Sequence, residues 1–374
     1  MKMTVKKFYL VIVCLLLLGK SFSQTSENIN MVSTAVPFLR ISPDARAGGM
    51  GEAAVSTSPN ANSQFYNVAK YAFVHDRGGL SATYTSWLRD LGLKDVYMAA
   101  MAGYYKPNDE QAFSASLRYF NLGNIEISDA NGNDLGMQKS NELGFDVGYS
   151  RKMSKNLSMG VALRYIYSNL AGSSSITGSG YKAGVAVAGD LGLFYSRAEI
   201  TGKGFQAGLA FTNLGSKIGY TDDVTHKSYL PANLGLGIGY TWVFNGVHKI
   251  ALHGEVNKLL VPKLPAESDS AAYAKYNTDG VASSWVKSLD NDAMAFSLGC
   301  EYVFHHLYAF RGGFYTDSRG MGKRSYITAG VGMNYSSFGL NFSYLVPSGS
   351  GITRNPLSNT LRFSLLYYIA KEVK

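Results

Sequence analysis

Residues 234–242 read LGLGIGYTW. From Leu234 to Trp242 every second residue is large and apolar, and glycine or threonine fills the positions between them. A helix would scatter these side chains around its axis, whereas a strand places one set on each face. The same alternation recurs along the chain. Phe113, Ala115, Leu117 and Tyr119 alternate with Ser114, Ser116 and Arg118, and Leu143, Phe145, Val147 and Tyr149 alternate with Gly144, Asp146, Gly148 and Ser150. Met159 to Tyr165, Phe205 to Phe211, Phe338 to Tyr344 and Leu361 to Tyr367 repeat it. The chain from about residue 79 onward therefore reads as an array of half-polar strands, an all-β domain over 79–374.

Two architectures fit alternation. A soluble sandwich turns the apolar face inward against a second sheet. A membrane barrel turns it outward against lipid and lines its interior with small and polar residues. Here the polar face is rich in Gly, Ala, Ser and Thr, and also carries Arg118, Asp146, Arg164, Glu255, Glu301 and Arg362. The apolar face ends repeatedly in Tyr, Trp or Phe, as an interfacial aromatic girdle requires. The connections decide between the two. Short ones (106–111, 152–156, 196–203, 245–249, 304–306, 336–337) alternate with mostly long ones (87–95, 124–142, 168–180, 214–233, 259–294, 316–325, 346–359). Sorting loops by length onto two ends is the mark of a transmembrane antiparallel β-barrel, and the pattern gives about fourteen strands. An even count puts both termini on the short-turn, periplasmic side.

The first residues read as an address. Lys2, Lys6 and Lys7 precede an apolar run from Phe8 to Gly19, too short to span a bilayer as a helix, and Ser21-Phe22-Ser23 offers the small residues of a cleavage site. Residues 1–23 are thus expected to be a signal peptide, with the mature chain starting at Gln24. Its removal takes four lysines and no acids, so the formal charge falls from +9 to about +5, too mild to argue for nucleic acid. Cys300 is then the single cysteine, which leaves no intramolecular disulfide and no cysteine metal cluster, and its place in the alternation puts it on the lipid-facing side.

Residues 37–73, PFLRISPDARAGGMGEAAVSTSPNANSQFYNVAKYAF, break the pattern. The stretch begins extended, passes through Gly48-Gly49-Met50-Gly51 as a flexible hinge, and ends in a short helix started by Ser58-Pro59-Asn60. About fourteen strands enclose more space than wall side chains fill, so a plug or a channel is required. A plug over residues 24–78, entering from the periplasmic side, is the favoured reading. Phe38, Arg40, Phe65 and Tyr66 are its candidate residues, with Tyr71 and Phe73 adding bulk.

Other signals carry little chemistry. Residues 48–51 lack the Lys-Ser/Thr and βαβ context of a phosphate loop. Residues 129–134 resemble the start of a calcium loop but have Asp134 where glycine is needed and Ser140 in place of the closing Glu. His305-His306 sits in a tight turn without a carboxylate at ligand spacing, and no catalytic group stands out, so neither a metal nor a catalytic site is assigned and no cofactor is expected. His253 and Glu255 read as lumen hydrogen-bonding groups. Gly235, Gly237 and Gly239 either weaken a strand, as a lateral exit would need, or make room for the plug. In the longest connection, 259–294, Tyr273, Tyr276 and Trp285 are candidate partner-binding aromatics, or else pack on neighbouring loops.

The stretch AVPFLRISPDARAGGMGEAAVSTSPNANSQFYNVAKYAF, ending at Phe73, closely resembles the N-terminal signature of the PorV family, outer-membrane barrels of the type IX secretion system, with the PorQ paralogues close by. The strand-turn layout agrees to the C-terminus, except that residues 369–374 follow Tyr368 where many barrels end on an aromatic. The resemblance implies a FadL-like barrel with a plugged lumen and no enzymatic activity. It implies a carrier that binds the C-terminal signal domain of secreted cargo proteins at a very large translocon barrel. The carrier then delivers them to a cell-surface attachment complex with a PorU-like sortase, where cargo is joined to lipopolysaccharide. The competing expectation is a FadL-like transporter of fatty acids or other hydrophobic molecules.

Overall fold

The computed structural model describes residues 32–128, 134–170, 182–199, 201–222, 227–265, 269–347 and 357–370. The expected signal peptide and most of the calcium-like turn lie outside these residues. Fourteen antiparallel strands close into a barrel. They are β1 (Gly78–Ser86), β2 (Tyr97–Tyr105), β3 (Gln111–Ser128), β4 (Asp134–Lys152), β5 (Leu157–Asn169), β6 (Gly184–Ser196) and β7 (Gly204–Gly215). The circle continues with β8 (Asn233–Phe244), β9 (His248–Leu259), β10 (Met294–Phe304), β11 (Tyr308–Asp317), β12 (Ser325–Tyr335), β13 (Phe338–Leu345) and β14 (Leu361–Ile369). Each strand pairs with its neighbour in sequence, and β1 closes on β14 from Gly78 opposite Ile369 to Thr85 opposite Arg362. Closure leaves no free edge, the condition for strands to cross a bilayer.

The side-chain pattern is inverted relative to a soluble protein. Leu163, Val187 and Ile327 are about 60% exposed, whereas Arg118, Asp146, Arg164 and Arg362 on the opposite face are buried. Large apolar groups thus face outward on strand after strand, and charge faces inward, as lipid outside demands. Cys300 lies on the outward side of β10, half-buried, between exposed Leu298 and half-buried Tyr302.

The structure departs from the sequence reading at three places. The connection expected over 124–142 is mostly strand. β3 and β4 run on as a two-stranded ribbon, Asn124 opposite Lys139, after a register slip at 121–124 where Gly123 takes φ 84°. The 214–233 connection holds a small hairpin, with Ile218 opposite Ser228. The longest connection folds into α2 (Ser270–Thr278) and α3 (Val281–Lys287), the first helix capped by Asp269.

Candidate functional site

The N-terminal segment runs along the inner face of the barrel. At the long-loop end the Val32 amide donates to the Gly320 carbonyl, and that of Ala35 to Tyr229. At the other end Lys106, beside the short β2–β3 turn, donates through Nζ to the Val74 carbonyl at 2.8 Å. The described chain therefore descends from the loop end to the short-turn end before entering β1, instead of rising from the short turns as the sequence reading supposed.

Locally the segment is a set of short turns. Asp44 caps α1 (Ala45–Gly48) by accepting from the Arg46 amide. In place of one helix after Ser58 there are two 3-10 turns, Ser63–Phe65 and Val68–Phe73. Asn67 breaks them apart. It is extended at φ −156°, its side chain accepts from Ala69 and donates to the Leu193 carbonyl of β6 at 2.9 Å. Bonds to the wall thus override the helical spacing of the apolar residues.

Charged wall residues hold this segment. The Arg46 guanidinium reaches Glu301 of β10 with 2.8 and 2.9 Å bonds and also donates to Ser58. Glu301 is shared with Arg311 of β11 at 2.7 Å. Arg362 of β14 pairs with Glu52 at 2.7 Å and donates to the Ser42 carbonyl. Glu255 of β9 accepts from the amides of both Ala54 and Val55 at 2.7 Å, and His253 bonds Ser56 at 3.2 Å. The expected lumen role of His253 and Glu255 holds. Lys70 sits fully within the segment, donating to the Ala54 carbonyl and Thr57 hydroxyl. On the far wall Arg164 pairs with both Asp146 and Asp190, and Arg118 lies between Asp146 and the Leu39 carbonyl. Buried charges are tolerated only when paired in this way.

The glycines do not form a hinge. A Cβ on Gly48 would meet Arg362 and Ser343, and one on Gly51, itself at φ 63°, would meet the Phe314 backbone at 2.5 Å. Gly51 touches the wall backbone to backbone and Gly48 lies under wall side chains, and at both places a missing side chain is what lets segment and wall approach. The β8 glycines act likewise. Cβ atoms on Gly235, Gly237 and Gly239 would meet Val55, Ser56 and the His253 ring, and β8 pairs without a break with both neighbours. Gly235 and Gly237 make room for the segment and Gly239 for the neighbouring His253 ring, and the reading of a weakened exit strand at this point is set aside.

Of the residues singled out in the segment, Phe38 is fully buried and stacks on Phe120, with centroids 6.3 Å apart. Phe65 is buried under the Arg118 guanidinium, 5.2 Å from its ring centre. Tyr66 is half-buried and its hydroxyl bonds Ser42. Arg40 is half-buried, near the Arg324–Asp317 pair and Tyr315.

In the long loop the three aromatics are half-buried, not free. Tyr276 packs edge-on against Tyr229, 5.1 Å between centroids, and Lys217 lies 4.2 Å over the Tyr229 ring while donating to the Tyr276 carbonyl. Tyr273 packs against Tyr276. Among the described residues of the loop, the large exposed apolar side chains are Val286 and Leu289, 69% and 55% exposed, which the sequence reading passed over because it looked for aromatics.

Residues 23–266 match the family model described as type IX secretion system protein PorV. No curated protein matches the chain. Among solved structures, the Ralstonia pickettii toluene transporter TbuX is 14% identical, with 92% of this chain and 99% of that one covered and a TM-score of 0.53. The Pseudomonas putida toluene transporter TodX is 13% identical, with 86% and 95% covered and a TM-score of 0.51. At such identities the likeness shows the fold, a FadL-like barrel. The family match covers well over half of the sequence, and with the barrel it places the protein in the outer membrane as a type IX secretion component: the chain belongs to the PorV family.

Proposed function

We propose that this barrel is a carrier, not a pore: it holds the C-terminal signal domain of secreted cargo at the translocon and hands it to a PorU-like sortase complex for attachment to lipopolysaccharide. The observation that carries this reading is the N-terminal segment, residues 24–78 in the proposed division, whose described part from Val32 onward is pinned to the inside of the wall from the loop end to the short-turn end. Acting as a plug, it leaves the long loops as the surface for a folded partner. The loops would face outward and the short turns and C-terminal strand end the periplasm. A β-rich signal domain fits loops that present apolar side chains such as Val286 and Leu289 beside Tyr273, Tyr276 and Trp285.

A second reading, transport of a fatty acid or other hydrophobic molecule, draws on one observation. Val32, Tyr229, Leu259, Val261, Met321 and Leu357 form an apolar cluster at the loop end of the lumen. The same cluster also serves as packing for the start of the segment, which favours the carrier.

The test is affinity purification of the native protein from mildly solubilised outer membranes with mass spectrometry of what accompanies it. Secreted proteins that retain a shared C-terminal domain, with a sortase-like protein or a very large barrel, are expected. A barrel carrying only lipid or fatty acid would move the assignment to the transporter.

A further inference from the structure

The outer wall is not evenly convex. Across β11, β12, β13, β14 and β1 the register aligns Phe310, Val331, Phe342, Phe363 and Tyr84 as successive cross-strand neighbours on the outward face. Two residues along each strand a second outward row runs from Tyr308 through Leu340 to Ala82. Between the rows lies an apolar valley of about 600 Å³, within the usual size of a small-ligand site. Four inter-strand steps make it roughly 19 Å long. Its floor is backbone at inward-facing positions of the strands, including Ala309, Gly332 and Ser364.

The floor is fixed from inside. Ser364 accepts from the Ala45 amide at 2.9 Å, Asn341 accepts from Arg311 at 2.9 Å, and a Cβ on Gly332 would run into both Asn341 and Arg311. The valley therefore cannot close by the floor moving outward. Its lower end, Tyr308, begins β11 immediately after a short turn, and the tilt of the strands lifts the other end to mid-wall on β1.

We infer that this valley is a preformed site for one acyl chain of a membrane phospholipid. It is continuous with the lipid-facing band, and its named walls carry no charged side chain. Its length suits a chain crossing, at a slant, one leaflet of a hydrocarbon core about 30 Å thick. A protein partner would be expected to meet hydrogen-bonding groups, and the closed barrel offers no strand edge here. The choice of phospholipid over lipopolysaccharide rests on the orientation proposed above, with short turns toward the periplasmic leaflet.

The experiment is photo-crosslinking of the full-length protein in liposomes and in native outer membranes, using phosphatidylethanolamine with a diazirine in its acyl chain. Labelled residues are mapped by mass spectrometry. Label at Phe310, Val331 and Phe363 several-fold above that at the more exposed Leu163 and Val187 is expected. The Ala82→Trp variant, which fills the valley from outside without touching the lumen, should bring it to the level of the rest of the wall. Folding of the variant is checked by its heat-modifiable mobility. Even labelling around the wild-type barrel would overturn the site. Label present in liposomes but replaced by protein crosslinks in native membranes would overturn it in favour of a protein partner. Preference for a lipopolysaccharide probe over the phospholipid would overturn the phospholipid assignment, whereas the purification experiment above, which reads cargo and not lipid, tests the carrier reading separately.

Discussion

Gly49 of the N-terminal segment and Gly330 of β12 meet so closely that a Cβ built on either would lie 3.1 Å from the α-carbon of the other. Next to them Gly313 of β11 would place a Cβ 2.0 Å from the Gly51 nitrogen. The wall and the segment were shaped together: glycines on one side answer glycines on the other. A branched side chain at Gly313 cannot be absorbed, since its neighbours are backbone atoms. Gly313→Val should therefore push the segment off the wall while β11 still pairs. The expected outcome is a folded barrel with raised conductance in planar bilayers and new protease cleavage within residues 46–70. Unchanged conductance and protection would show that the contact is not what seats the segment.

Glu301 serves two guanidiniums at once, Arg46 from the segment and Arg311 from the wall. Removing its charge leaves two buried cations without their carboxylate, a loss of about 3–5 kcal/mol for a buried pair. Glu301→Gln should lower the thermal midpoint of the barrel in detergent and loosen the segment. Arg46→Ala should do less, because Glu301 keeps Arg311. A scan of heat-modifiable mobility against temperature reads both, and equal effects of the two variants would contradict the shared role.

Much of this was legible from residue order. Strict alternation over Leu234–Trp242 and its repeats fixes which side chains face lipid, because a strand has only two faces, and loop lengths sort the two ends. Pairing inside the lumen was not legible. Arg46 and Glu301 stand 255 positions apart, and nothing local says that they meet. Asn67 shows why the expected helix failed: its backbone is extended and its side-chain amide donates to the Leu193 carbonyl, a partner that periodicity cannot see. Lys217 and Tyr229, which hold Tyr276, have no pattern at all in sequence. Gly48 to Gly51 were read as freedom where the structure uses them for proximity, since both uses need a missing side chain.

Locking the segment separates the two functional readings. The Ala45 amide and Ser364 hydroxyl are 2.9 Å apart, so cysteines at Ala45 and Ser364 are placed to join. If the plug stays seated while cargo is carried on the loops, the oxidised double variant should secrete cargo at the wild-type level. Uptake of a hydrophobic molecule through the lumen would instead fall severalfold on oxidation and recover on reduction. The paired assay is secretion of a cargo reporter and uptake of a radiolabelled fatty acid in the same cells.

The long loop has an acid limit. Asp279 accepts from Lys287 at 2.8 Å, and Asp292 from Lys263 at 2.7 Å, and these hydrogen bonds hold both carboxyls below the usual range. A lowered folded value means that the contribution is complete above about pH 4, the ordinary aspartate value, and fades as pH falls through the lowered one. Limited proteolysis between Ser270 and Asp292 should therefore be slow at neutral pH and accelerate below about pH 4, with the barrel intact. Asp279→Asn should show the faster cleavage already at pH 7.

The exposed side chains of the same loop carry the last prediction. Val286 and Leu289 are 69% and 55% exposed and lie beside half-buried Trp285, while Tyr276 is engaged by Tyr229 and Lys217. Polar replacement of the first two removes apolar area without touching an internal contact, so folding should be unchanged. Truncation of Tyr276 removes packing and should loosen the loop instead. If the loop grips cargo, Val286→Asp with Leu289→Asp should reduce co-purified cargo about tenfold or more, in keeping with loss of a central apolar contact. Outer-membrane levels of the barrel should stay equal. Tyr276→Ala should reduce cargo only in step with greater protease sensitivity of residues 270–290. Normal cargo recovery by the double aspartate variant would move the contact to another loop, most directly to the β3–β4 ribbon that rises at the same end.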